Sequence, residues 1–277
     1  MIKARLSRVF VIAAVCAWGA FGTRPADSQS ANSLVPDIDV AILTELATSY
    51  QILVNEGVLD AYGHVSIRHP KNSNRYLMAR SGEVAPAYVT ASDIMEFDLD
   101  SNAIDLKGRA LHSERFIHGE IYKLRPDVNA VVHSHSRAVI PFSVTKVPLR
   151  AIFHNGAFLG DGVPVYEIRD ESGDDNDMLV NTSAKGRALA KVLGDRPVVL
   201  IRGHGDAVVG PTLQVAVFRA IYTEVNANLQ IQATMLGGPI TYLNQYEAQK
   251  SQRMERTWEA WKRQAAERNA ARIARRQ

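Results

Sequence analysis

Apolar residues recur at helical spacing over residues 37–60, at Ile42, Leu43, Leu46, Ile52, Leu53 and Val58, with Gly57 near the end; this predicts an amphipathic helix. The period then shortens. Residues 63–68 alternate like a strand, His69-Pro70-Lys71-Asn72-Ser73-Asn74 is a turn cluster, and residues 76–79 supply the strand that pairs back. Thr90 and Asp93 have the spacing of a helix-start box, followed by a short strand over 94–99 and a turn at 100–102. A second amphipathic helix is predicted over 113–124, from Ser113 and Glu114 through Phe116, Ile117, Ile121 and Leu124, ending at Arg125-Pro126-Asp127. Beyond it the pattern predicts strands at 128–133, 150–153, 163–166 and 198–201, and helices at 183–193 and 212–236. Strands alternate with helices, yet hairpin turns occur, so an α/β fold is expected whose sheet is mixed or mainly antiparallel with helices on both faces.

The two ends of the chain differ in character from this middle. Lys3, Arg5 and Arg8 precede an apolar run over 9–22 and a small, polar stretch over 23–30, the pattern of an export signal over residues 1–28 with cleavage between Ala26 and Ala31. The run is short for a membrane span and no stop-transfer pattern follows; a retained anchor is the alternative reading. The expected location is periplasmic or secreted, without stable membrane insertion. The single cysteine, Cys16, lies inside this segment, so the processed chain would fold without a disulfide. The formal charge is +3, but residues 1–28 carry four basic side chains and one acid, so the remainder is neutral and no nucleic-acid affinity is expected. With 277 residues, 46% of them hydrophobic, there is enough chain for one sizeable core, assigned to residues 37–240. Residues 246–277 hold nine basic residues, four acids, and Trp258 and Trp261 three apart. They predict a basic helical tail that is solvated or packs against another subunit.

The histidines carry the chemistry. His133 and His135 are two residues apart at the end of an apolar strand, where i and i+2 face one side about 6–7 Å apart, a spacing that suits two ligands of one cation. Neutral imidazole is accepted by zinc, manganese and iron alike. His204 is flanked by Gly203 and Gly205 directly after the strand at 198–201, and such glycines let a ring be offered to a cavity. Glu114, at the start of a helix that feeds the His133 strand, can act as a general base or a displaceable fourth ligand. Each piece has a plainer reading: a surface or core histidine pair, a tight turn, a first-turn glutamate complementing the helix dipole.

Taken in order, the pieces resemble the class II aldolase/adducin family. The matching residues are Gly63-His64-Val65-Ser66-x-Arg68, Ser113-Glu114-x-x-x-His118-x-x-Ile121-Tyr122, Arg125-Pro126-Asp127-Val128-x-Ala130-Val131-Val132-His133-Ser134-His135-Ser136, and His204-Gly205-x-x-x-x-Gly210. The resemblance implies a three-layer αβα sandwich around a mainly antiparallel central sheet. It further implies one divalent metal per subunit on His133, His135 and His204 (zinc first, manganese or iron as alternatives), with Glu114 as the acid/base group. Cyclic homotetramers with active sites between neighbouring subunits are implied as well. The sugar-phosphate aldolases of this family have Gly-Asn at the first motif and paired serines before the glutamate, which cradle a phosphate; here Gly63-His64 and His112-Ser113 stand instead. Where those aldolases carry a tyrosine proton donor, this chain offers His154. These departures are closer to the family's aromatic decarboxylase branch, which acts on hydroxylated aromatic or pyridine carboxylates. By that resemblance the substrate is a small anionic molecule met by His64, Arg80, Ser81, His112 and His118, with Arg80 placed for a carboxylate. An aldolase acting on a non-phosphorylated hydroxy-acid or sugar, an iron-dependent oxygenase and a non-catalytic adducin-like interaction module are the rival readings.

Overall fold

The computed structural model describes residue 35 and residues 37–82, 84–250 and 257–274; the export segment predicted over 1–28 lies outside them. Eight α-helices and seven strands are described. They are α1 (Val40–Asn55), β1 (His64–Arg68), β2 (Arg75–Ala79), β3 (Ile94–Asp98), α2 (Phe116–Leu124), β4 (Ala130–Ser134), α3 (Ile140–Val144), β5 (Val165–Tyr166), α4 (Arg169–Ser172), α5 (Ser183–Leu193), β6 (Val198–Ile201), β7 (Gly205–Gly210), α6 (Leu213–Leu236), α7 (Gln245–Lys250) and α8 (Thr257–Ala274). The seven strands form one sheet in the order β3-β2-β1-β4-β7-β6-β5. Every pairing is antiparallel except that of β5 with β6. Alternation along the strands divides the core in two. Val65, Ala130, Val132 and Val208 face a layer containing α1, α6 and α8, while Val131, Ala207 and Val209 face α2 and α5. The result is the expected αβα sandwich.

Helix ends are set by local chemistry. Asp39 accepts the Ala41 N–H at the start of α1, and Thr182 and Thr212 cap α5 and α6 the same way. Arg68 closes α2 at its other end, donating to the Tyr122 and Arg125 carbonyls from β1. The helix expected over 113–124 is broken at its start. Ser113–Arg115 is a 3₁₀ turn in which Glu114 has φ −93° and ψ 19°, and its carboxylate faces His133 at the end of β4.

Two expectations are corrected and one strand is added. Residues 150–153 are not a strand, because their backbone bonds are made by helix α6. Asn226 Oδ1 accepts the Ile152 and Phe153 N–H groups, Asn226 Nδ2 donates to the Arg150 carbonyl, and Gln230 serves Pro148 and Arg150. Residues 205–210, to which the pattern assigned no element, are the interior strand β7 between β4 and β6. Among the described residues the C-terminal segment packs one face on its own chain: α8 lays Trp258, Trp261 and Ala265 on α1 and α6, and Trp258 Nε1 donates to Glu45 at 3.0 Å. No helix among the described residues is long and apolar enough to cross a membrane.

Candidate active site

His133 stands at the end of β4 and pairs across β1 with His64 and across β7 with Ala207. The β6–β7 hairpin turns at Gly203, whose φ is +66°, and presents His204 from the turn. Gly205 packs directly on the Ser134 backbone, where a Cβ would overlap the carbonyl oxygen. The two glycines beside His204 thus do different things: one turns the chain, the other lets β7 close on β4. With these strands joined, one ligand atom from each of Glu114, His133, His135 and His204 falls within 4.8 Å of all the others.

The donor set is oriented by backbone carbonyls. His133 Nδ1–H donates to the Asp206 carbonyl at 2.8 Å, and His204 Nδ1–H donates to the Met178 carbonyl at 2.8 Å. Each bond fixes the tautomer and leaves Nε2 with a lone pair. His133 Nε2 is buried and has no hydrogen-bond partner. His204 Nε2 lies 3.0 Å from His135 Nε2, a separation at which two lone pairs repel unless a cation or proton lies between them. Glu114 is anchored by Oε1, which accepts the Val180 N–H at 2.8 Å, while Oε2 lies 3.5 Å from His133 Nε2 and 3.4 Å from His204 Nε2. Three converging imidazoles, one buried carboxylate and an orphaned nitrogen fit a divalent cation of the zinc, manganese or iron kind.

Electrostatics agree with that donor set. Burial pushes His64 and His118 well below the usual imidazole range, and His112 and His135 down to about 4, so these rings are neutral at pH 7. Burial would raise Glu114, but the adjoining His133 and His204 rings more than offset it and hold the carboxyl well below its usual range. Burial would likewise lower His204, and Glu114 outweighs it to raise that ring.

In front of the cluster is a cavity of about 450 Å³ lined by His64, Arg80, Ser81, His112, Glu114, His133 and His135. Arg80 is tied by Nε to Asp93 at 2.8 Å, and Asp93 in turn takes the Thr90 N–H and hydroxyl. The guanidinium is therefore held on one edge while the residue lines the cavity. Two sequence-predicted residues are not brought to this wall. His118, expected among the substrate-binding groups, is completely buried behind His64 with both ring nitrogens bonded inside the protein. His154 is exposed on the 3₁₀ turn His154–Leu159 and contacts Phe153, away from the cavity of its own chain. Sequence reasoning missed Tyr62, which lines the cavity with its ring 5.9 Å from His135, and the Met178 and Asp206 carbonyls that orient the ligand histidines. An aromatic beside Gly63 was the one available signal for Tyr62; backbone acceptors leave no mark in a sequence.

The chain belongs to the class II aldolase and adducin N-terminal domain family, whose match spans residues 44–231. It is 35% identical over 240 residues to decarboxylase tropJ of Talaromyces stipitatus, covering 77% of this chain and 90% of that one. It is 33% identical over 207 residues to 3,4-dihydroxyphthalate decarboxylase of Arthrobacter keyseri, covering 70% and 79%. Among solved structures, L-fuculose 1-phosphate aldolase from Glaciozyma antarctica PI12 shares the fold at a TM-score of 0.68 and 23% identity, covering 84% of this chain and 91% of that one.

Proposed function

We propose that this protein, a lyase of the class II aldolase family, decarboxylates a hydroxylated aromatic or heteroaromatic carboxylate with the help of one divalent cation. The observation that carries the reading is the convergence of Glu114, His133, His135 and His204 on one point at the wall of a cavity that Arg80 also lines. His133, His135 and His204 would hold the cation, zinc first and manganese or iron as alternatives. When bound, such an ion supplies a Lewis acid that stabilises negative charge on a substrate oxygen, worth several kcal/mol.

The chain's own residues account for the rest. Arg80, braced by Asp93, meets a carboxylate that is not lost. Glu114 accepts the proton of the substrate's ring hydroxyl as the reacting group binds. Glu114 then returns that proton to the ring carbon that bears the carboxylate, which turns the adjacent phenolate into a ring carbonyl. The bond between that carbon and the carboxylate breaks, carbon dioxide leaves, and the electron pair restores the aromatic ring and places the charge on the carbonyl oxygen, so atoms and charge balance. The substrate class draws on the names of the two decarboxylase relatives, and the His64 and His112 rings replace the hydroxyl and amide groups that would cradle a phosphate. A non-catalytic interaction module would leave four ligand groups, Glu114 and His133 among them buried, converging with nothing to bind, an expensive arrangement to retain.

A cyclic tetramer is part of the proposal, because an exposed His154 then has a neighbouring site to serve as alternative proton donor; light scattering on the purified protein tests it. Export is proposed from the N-terminal pattern, with mass analysis of the mature N-terminus expected between Ala26 and Ala31. The test of function is metal analysis followed by carbon-dioxide release from hydroxyaryl carboxylates such as 3,4-dihydroxyphthalate. Release of an aldehyde from a hydroxy-acid or sugar, with no carbon dioxide from any hydroxyaryl acid, would establish the aldolase reading instead.

A further inference from the structure

Behind the cavity wall, β1 and α2 are joined by a continuous chain of hydrogen bonds that the proposed chemistry does not use. His64 Nδ1 meets His118 Nε2 at 2.6 Å, His118 Nδ1 meets Ser66 Oγ at 2.6 Å, and Ser66 Oγ meets the Tyr122 hydroxyl at 2.8 Å. The geometry arises from two repeats of nearly equal length. Residues 64 and 66 are two apart on a strand, about 6.6 Å, and residues 118 and 122 are four apart on a helix, about 6 Å, so each pair presents one face to the other. The chain is dry: Ser66 and His118 are wholly buried, Tyr122 is 1% exposed and His64 4%.

Such a chain can point in two directions, and counting hydrogens decides between them. In one, His64 Nδ1–H donates to His118, His118 Nδ1–H donates to Ser66, and Ser66 donates to the Tyr122 oxygen. The Tyr122 hydrogen is then a buried donor without an acceptor, since Ser66 is the sole partner of that hydroxyl among the described residues. In the other, Tyr122 O–H donates to Ser66, Ser66 O–H to His118 Nδ1, and His118 Nε2–H to His64 Nδ1. Every buried hydrogen is then used, and the one remaining, on His64 Nε2, belongs to a residue that lines the cavity and whose Nε2 takes no bond from the described residues.

We infer that Tyr122, Ser66 and His118 act as positioning residues that lock His64 in its Nε2–H tautomer, so that the cavity meets a fixed hydrogen-bond donor at His64 and not a base. The ring lies 5.0 Å, centroid to centroid, from His133 and 4.7 Å from His112. The ligand it selects is an oxygen acceptor, either an anionic oxygen or a carbonyl, lying beside the candidate cation. In the decarboxylation proposed above, on which this last assignment rests, that acceptor is the oxygen that gains charge as carbon dioxide leaves. A donor in place before reaction needs no reorganisation at that moment.

The test is nitrogen-15 magnetic resonance of histidine-labelled, zinc-loaded full chain, with the His64 and His118 signals assigned from His64→Gln and His118→Gln. In the unsubstituted protein both residues should carry hydrogen on Nε2 and a lone pair on Nδ1. In Ser66→Ala, where His118 Nδ1 loses its donor, the His64 signals should move toward a mixture of tautomers while zinc content stays the same. Affinity for 3,4-dihydroxybenzoate in Ser66→Ala should then fall roughly ten- to hundredfold. Hydrogen on Nδ1 of either ring in the unsubstituted protein would overturn the inference, as would His64 signals untouched by Ser66→Ala. If the tautomer is as stated but 3,4-dihydroxybenzoate fails to bind the unsubstituted protein, the relay stands and the hydroxyaryl substrate falls.

Discussion

Glu114 Oε1 accepts the Val180 N–H at 2.8 Å, and this one bond decides which carboxylate oxygen faces the histidines. Oε2 is left 3.5 Å from His133 Nε2 and 3.4 Å from His204 Nε2. The anchor is a backbone amide, so it survives replacement of the carboxylate by an amide. Glu114→Gln should therefore fold and retain the cation while turnover falls roughly 10²- to 10⁴-fold. Steady-state kinetics beside metal analysis checks this; unchanged turnover would reduce Glu114 to a charge at a helix start.

Removing the cation should cost stability as well as activity. A ligand that binds only the folded state stabilises it by about 2.7 kcal/mol at a hundred times its dissociation constant. Dialysis against a strong chelator should lower the melting temperature, and zinc should restore it. His133→Ala removes the ligand whose Nε2 is buried and unpartnered, so its melting temperature should not respond to chelator at all. Equal chelator sensitivity in both proteins would place the ion elsewhere.

The metal-free protein should be acid-sensitive in a defined window. Burial holds His112 and His135 down to about 4, and His64 and His118 well below their usual range, so the folded state takes up fewer protons than the unfolded chain as pH falls from 6.5 toward 4. Stability then falls with pH, by about 1.4 kcal/mol per unit for each uncompensated ring. Within this window Asp206, raised by burial to about 7, and Glu56, also raised by burial, oppose this, whereas His204, where Glu114 overcomes burial to raise the ring, acts only above 6.5. The two carboxyls favour the folded state as protons are added, leaving four rings against Asp206 and Glu56. Urea titrations of metal-free protein should show a lower midpoint at pH 5 than at pH 7; a higher one would contradict the balance.

The C-terminal helix should be part of the cooperative unit. Trp261 is 9% exposed and packs 6.4 Å from Phe218 and 6.3 Å from Tyr222, ring to ring, on α6. Trp261→Ala should destabilise by about 3 kcal/mol, the lower end for a large aromatic because the site is at the rim of the core. Trp261→Phe should recover much of it. A loss below about 0.5 kcal/mol in a urea titration, the ordinary range for surface sites, would show α8 to be dispensable.

The sequence by itself determined the periodic elements and the ligand pair. Helix 183–193 and strand 198–201 are found where the pattern put them, the first bracketed by Thr182 and Gly194, the second a buried apolar run. The pairing of His133 with His135 follows from a strand period of two. What the pattern could not settle were features whose partners lie far along the chain. Residues 150–153 have the composition of a strand, but Asn226 and Gln230, more than seventy residues away, take their backbone bonds. Residues 205–210 begin and end in glycine and show no pattern that assigned them an element, until β4 and β6 flank them. His118 looked like a cavity residue, and only the packing of α2 on β1 shows both of its nitrogens spent on His64 and Ser66. The reason is common to all three. Periodicity records which face of an element is apolar, a property of neighbouring residues, whereas a hydrogen bond is a pairwise match that exists only once tertiary packing has brought donor and acceptor together.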